Sequence, residues 1–205
     1  MNAFTLRKAP PEHVEIDGRR YAIRPGFRET LKILRLLEDE EILDGHKAPL
    51  FYRLWFPEGA PVDAQSAMCA FGAFARMYET KKAPKKPPVM DFEIDAADIY
   101  ASFRQQYGMN LFDGNPHWWV FLAMLRGLGE DTALGRKIWL RGVDVSQHKG
   151  DDARKLSEAQ REVALPERLS RKESAMNDAL ADALLNGGDV AAVLAALRGR
   201  EGEAI

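Results

Sequence analysis

Three observations on this 205-residue sequence predict a mainly α fold, a multi-helix domain with a small N-terminal β-hairpin. Apolar residues recur at three- and four-residue spacing between recognisable helix starts and stops. Asp17-Gly18 sits between two short runs near the N-terminus, and Asp-Gly is a strong two-residue hairpin turn because both positions want positive φ. The segment 91–132, with its adjacent Trp118 and Trp119, reads as closely spaced helices that should pack together and bury large rings.

The hairpin comes first. Its register places Val14 opposite Tyr21 on one face and Glu15 opposite Arg20 on the other. A lone hairpin is marginal in water, so this one must lie against helices or a partner. Phe27, Leu31 and Leu34 predict a first helix that ends near the acidic run Glu38-Asp39-Glu40-Glu41. Pro49 is placed to open a short helix carrying Leu50, Leu54 and Trp55, which Pro57 closes. Asp63 caps a longer one, with Ala67, Phe71, Phe74 and Tyr78 on a single stripe. In that helix Cys69 has the setting of a small buried hydrophobe.

The central segment gives the clearest signals. Asp95 is a good N-cap, and Asp98 favours the positive end of the helix that follows. Ala96, Ile99, Tyr100, Phe103 and Tyr107 share its face, and Gly108 is placed for a left-handed C-terminal cap. Asn115-Pro116 has the favoured order for opening a second helix, whose stripe is Trp118, Phe121, Leu122 and Leu125 and whose stop is Gly127. Asp131 caps a third, carrying Leu134 and Ile138 and ending at Gly142. Beyond Val145, 151–164 is a charged helical segment with little apolar surface, interrupted by Pro166. The Ala-rich remainder reads as a helical hairpin: Met176, Leu180, Ala183 and Leu184 form one stripe, Asn186-Gly187-Gly188 the turn, and Val190, Val193, Leu194 and Leu197 the other.

The domain organisation that follows is a hairpin-plus-helices lobe over 1–80, a basic Pro-rich linker over 81–90, a central helical lobe over 91–165 packed on the first, and an Ala-rich extension over 166–205. A formal charge of −2 offers no global basic field for nucleic acid. The lysines of 81–86 lack interleaved aromatics that could stack on bases, and read as a solvated spacer. One cysteine excludes an intrachain disulfide framework and fits a reducing cytoplasm. No apolar run approaches the roughly 20 residues that span a bilayer, and no signal peptide is evident.

Catalytic and metal chemistry find no foothold. Asp91, Glu93 and Asp95 alternate like the start of a calcium loop, but Ala96 and Ser102 stand where that loop needs Gly and Glu. A strand end followed by a helix cap explains them better. His13, His46, His117 and His148 show no paired metal-ligand spacing, and His117, in the first turn of the Trp helix, reads as a residue that orients a loop or caps a contact. Gly127-Leu128-Gly129 lacks the lysine and spacing of a phosphate loop. The expectation is no enzyme, no cofactor and no metal.

Binding surfaces are the remaining candidates. Neighbouring helical positions diverge by roughly 100°, so Trp118 and Trp119 are not expected to enter one core. One ring should be core, and the other should meet the N-terminal lobe or lie at a protein interface. The C-terminal stripes, Leu180 and Leu184 with Val190, Val193, Leu194 and Leu197, either dock on their own domain or capture an apolar partner segment.

One resemblance sharpens this. Asp91, Phe92, Asp95, Ile99, Tyr100, Phe103, Gln105, Gln106, Tyr107 and Gly108 form one block. His117, Trp118, Trp119, Phe121, Gly127, Leu128, Glu130, Asp131 and Thr132 form a second, and Lys137, Ile138, Arg141 and Asp144 follow. Together they resemble the "gene product fifteen" family of tailed bacteriophages, found in the tail module of Gram-positive-type siphophages and prophages. A weaker likeness runs from the hairpin near Val14 to about Leu165. The resemblance implies a cytoplasmic tail-assembly chaperone, encoded beside the tape-measure protein and holding that helical chain's apolar stripes apart until the tail tube forms. It equally admits a structural virion component, a tube-end or connector subunit. The partners implied are the tape-measure protein or other tail proteins, with a possible homo-oligomer, no nucleic acid and no membrane.

Overall fold

A computed structural model describes residues 5–77 and 87–166 of the chain. Residues 1–165 form one compact unit. The described architecture is mainly helical with one two-stranded antiparallel hairpin, in agreement with the sequence. Strands β1 (His13–Ile16) and β2 (Arg19–Ala22) pair in the expected register, Val14 with Tyr21 and Glu15 with Arg20. The turn holds Asp17 at φ 52° and Gly18 at φ 73°, which is why Asp-Gly occupies it.

Helices α1 (Phe27–Glu38), α2 (Asp44–Trp55) and α3 (Ala64–Arg76) follow. The beginning of α2 corrects the sequence reading, because Pro49 lies inside the helix rather than at its start. The extra turn hangs on one carbonyl, Leu43 O, which accepts from His46 N at 2.8 Å and Lys47 N at 3.3 Å. The Lys47 ammonium then reaches Leu37 O at the end of α1, at 3.2 Å. At α3 the expected cap is present, with Asp63 Oδ1 accepting from Ser66 N at 2.9 Å. Ala67, Phe71 and Phe74 are buried as expected, whereas Cys69 is exposed. Cys69 lies two residues from Ala67, hence on the far side of the helix from that stripe.

Helices α4 (Ala96–Tyr107), α5 (Trp118–Arg126), α6 (Ala133–Gly142) and α7 (Gly150–Glu162) complete the unit. Gly108 ends α4 at φ 65°, the left-handed cap expected of it. The α7 helix buries none of its residues and attaches through polar contacts, chiefly Gln160 Nε2 donating to Leu140 O at 3.0 Å and Val143 O at 3.1 Å. Those bonds satisfy carbonyls at the end of α6, which a helix leaves open.

One core runs through the unit. Phe51, Trp55, Phe56, Phe71 and Phe74 form its first part. Phe27, Phe103, Phe121 and Trp118 form the second, with Phe27 and Phe121 stacked 4.7 Å apart between α1 and α5. Phe74 and Trp119, 5.9 Å apart, join the two. No helix among the described residues is long and apolar enough to cross a membrane. Tyr78 and the lysines of 81–86 lie outside the described residues, as do Leu180, Leu184, Val190, Val193, Leu194 and Leu197.

Candidate functional site

The residues singled out by sequence converge on the region where α1 and α5 begin. Gly26, the residue before α1, offers no side chain to cap it. Asn115 supplies one from far along the chain: its Oδ1 accepts from Arg28 N at 3.3 Å while its Nδ2 donates to Glu29 Oε2 at 2.5 Å. Phe27 N bonds Pro116 O at 3.0 Å, and Trp118 N bonds Pro25 O at 2.7 Å. Each helix start is thus completed by the segment leading into the other. A Cβ on Gly26 would overlap the side chains of Asn115 and Glu29, so any larger residue there must displace the Asn115 cap.

Asn115-Pro116 therefore does not open α5, as its order suggested. The helix starts two residues later, with His117 as its cap. His117 Nδ1 accepts from Trp119 N at 3.0 Å, which leaves the proton on Nε2 to donate to Pro11 O at 3.0 Å. Burial lowers its pKa, against the smaller opposing pulls of the Pro11 bond and Glu12, so the ring is held neutral. His117 fills the orienting role its position suggested.

Of the places open to Trp118 and Trp119, the structure takes the core and the N-terminal lobe rather than an exposed interface. Both are buried, at 2% and 8% exposure. Their indole N–H groups donate side by side, Trp118 to Ala75 O and Trp119 to Phe74 O, each at 2.8 Å. Adjacent positions on α5 diverge as expected, and both rings still reach the end of α3 in the N-terminal lobe, where Trp119 stacks on Phe74. Neither ring offers an exposed contact on this unit.

A second polar framework ties α4 to α6 and α7. Asp95 was expected to cap α4 with its side chain, and it does not. Asp91 caps the turn before α4 instead, its Oδ1 accepting from Glu93 N at 2.8 Å and Ile94 N at 3.0 Å, in a turn rather than at a strand end. The fully buried Asp95 carboxylate turns back to accept from Asp91 N at 3.0 Å and from Arg141, whose two terminal nitrogens stand 2.6 and 2.9 Å from its oxygens. Arg141 also donates to Val89 O at 3.1 Å and Val163 O at 2.5 Å. Burial pushes the Asp95 pKa up, but the Arg141 hydrogen bonds, the Asp91 amide and the charges of Arg141 and Lys137 together hold it below the ordinary carboxylate value. Lys137 pairs with Asp98 and lies 3.7 Å from Asp95.

The Gln-Gln-Tyr run latches α4 to the loop after α5. Gln106 accepts from Gly129 N and donates to Gly127 O, both at 2.8 Å, Gln105 donates to Asp131 O at 3.3 Å, and Tyr107 donates to Met124 O at 2.9 Å. The cap of α6 is Thr132, not Asp131: its Oγ1 accepts from Gly135 N at 3.1 Å, and Ser102 Oγ from α4 accepts from Leu134 N at 3.0 Å. A Cβ on Gly135 would overlap the Gly129 carbonyl, which accounts for that glycine.

These motif residues build the scaffold, and the arrangement has the chemistry of internal attachment. Among the described residues no group of three or more His, Cys, Asp or Glu side chains could hold a metal ion. The scaffold also leaves large apolar side chains exposed: Phe112 at 76%, Leu43 at 68%, Ile94 at 48% and Trp139 at 46%. Sequence reasoning passed over Phe112 and Trp139, although Trp139 stands one residue beyond Ile138, off the buried stripe. No curated protein and no solved structure matches the chain significantly. The family model described as Bacteriophage Gp15 protein matches residues 7–165, which takes in both frameworks and the whole compact unit except its first residues. With well over half of its length matched, this chain belongs to the bacteriophage Gp15 protein family.

Proposed function

We propose that this protein is a non-catalytic tail-assembly chaperone that works in the bacterial host cytoplasm and binds the phage tape-measure protein during tail morphogenesis. The observation that carries the reading is the family match over residues 7–165. Large apolar side chains left on the surface of a unit whose own core is closed also support it, since the half-exposed Trp139 is of the type enriched at protein contacts. A chaperone needs accessible apolar contacts on a stable scaffold and no reaction centre.

The test is a quantitative mass-spectrometric inventory of purified particles against the infected or induced lysate, followed by co-purification. Abundance in the lysate, absence from particles and recovery with the tape-measure protein are the expected results. A fixed copy number in particles would overturn the proposal and make the protein a structural subunit of the tail.

A further inference from the structure

We infer that the exposed face of α4 is a two-fold interface between two copies of this chain, with the two α4 helices antiparallel. Glu93, Ala97 and Arg104 are exposed on this face, and Tyr100 is half-buried. At about 100° per residue they fall within one quadrant of the helix, counting Glu93 in the turn that leads into it. Ile94, 48% exposed, borders them. Phe112 joins from the following loop, with its ring 5.2 Å from that of Tyr100.

The loop holds Phe112 in place. Asn110 Oδ1 accepts from Phe112 N at 3.1 Å, Asn110 O accepts from Asp113 N at 3.1 Å, and the neighbouring Leu111 is buried with its carbonyl taken by Arg28. An aromatic ring presented on a fixed stem loses little conformational freedom on docking.

Charge selects the occupant and its direction. The face carries an acid at one end, Glu93, and a base at the other, Arg104, about 16 Å apart along the axis at 1.5 Å per residue. A second copy laid parallel would set Glu93 on Glu93 and Arg104 on Arg104. Laid antiparallel, each Glu93 meets the other copy's Arg104, and the two-fold axis makes both pairs at once. The same alignment places Ala97 of each copy opposite Tyr100 of the other, small against large, with the Phe112 rings at the flanks. Glu93 already holds Arg35 at 3.2 Å through one oxygen, and Arg104 spends one nitrogen on Gly108 O at 2.9 Å, so both side chains are positioned by contacts that docking leaves in place.

The experiment is sedimentation equilibrium on the full chain and on Glu93→Arg and Arg104→Glu, with circular dichroism to confirm that each variant is folded. The wild type is expected to be a dimer, and each swap should raise its dissociation constant about tenfold or more by setting like charges together. Mixed in equal amounts, the two swapped variants should form a heterodimer, because one then supplies two arginines and the other two glutamates. Phe112→Ser should weaken every one of these dimers. A wild type that stays monomeric up to about 100 μM, or swapped variants that fail to pair on mixing, would overturn the inference.

Discussion

Replacing Arg141 with alanine removes the donors that neutralise a fully buried carboxylate, and the structure sets both the size and the pH dependence of the loss. The guanidinium makes two bonds to Asp95 and one each to Val89 O and Val163 O. Breaking a buried pair by deleting one partner costs about 3–5 kcal/mol. Lys137, 3.7 Å from Asp95, offsets part of this, so about 3 kcal/mol is expected at neutral pH, a fall in Tm of about 10 °C for a unit of this size. In the wild type the folded pKa of Asp95 lies below its unfolded value. The unfolded chain then binds more protons between the two values, and the stabilisation present above the unfolded pKa is lost as pH falls through the folded one. Without Arg141, burial dominates and raises the folded pKa, which reverses the slope. The destabilisation by Arg141→Ala should therefore shrink as pH drops from 7 towards 4. Urea unfolding followed by tryptophan fluorescence at several pH values measures this. A loss under about 1 kcal/mol, or one that does not change with pH, would refute the assignment of Asp95 and Arg141 as the ionic centre of the unit.

Further outcomes follow from the same geometry. Trp118→Ala and Trp119→Ala should each cost about 3–5 kcal/mol in denaturant titrations, since both rings are core and both indoles satisfy a carbonyl at the end of α3. A small loss for either one would place that ring outside the core. Asn115→Ala should cost about 1 kcal/mol in thermal melts by uncapping α1, and a loss near zero would show that Asn115 is not its cap. Because burial lowers its pKa, neutral His117 contributes stability above its unfolded pKa that is lost on acidification through its folded pKa. His117→Gln should flatten the fall in stability as pH drops below about 6.5, and an unchanged profile would show that other groups set that slope.

Much of the fold was legible because it is written locally. Asp17-Gly18, Asp63 and Gly108 act within a few residues of themselves, and all three behave as their sequence context predicts. The misreadings of Asn115 and Asp95 share a different cause, which is satisfaction at long range. Asn115 looks like a cap for the next helix and instead caps one beginning near residue 27. Asp95 looks like a cap and becomes an ion-pair partner for Arg141, forty-six positions away. Trp118 and Trp119 fall between these cases, because helical angle separates the two rings but does not say that both reach the end of α3. The surface was less legible still. Motif residues drew the eye, yet they hold the scaffold together, while the exposed Phe112 lies in a loop with no periodicity to mark it.

The reciprocal completion of α1 and α5 has a consequence for how the chain reaches its native state. The two helix starts lie about ninety residues apart in sequence, yet the amides of Phe27, Arg28, Trp118 and Trp119 are all satisfied at that one crossing, the first three across it and the fourth by the His117 ring. The bonds across the crossing form only once a loop of that length has closed, so completing them depends on long-range closure rather than on local helix formation. Once closed, the crossing opens as a unit. In native-state hydrogen exchange these four amides should share one opening free energy, although they belong to opposite ends of the compact unit.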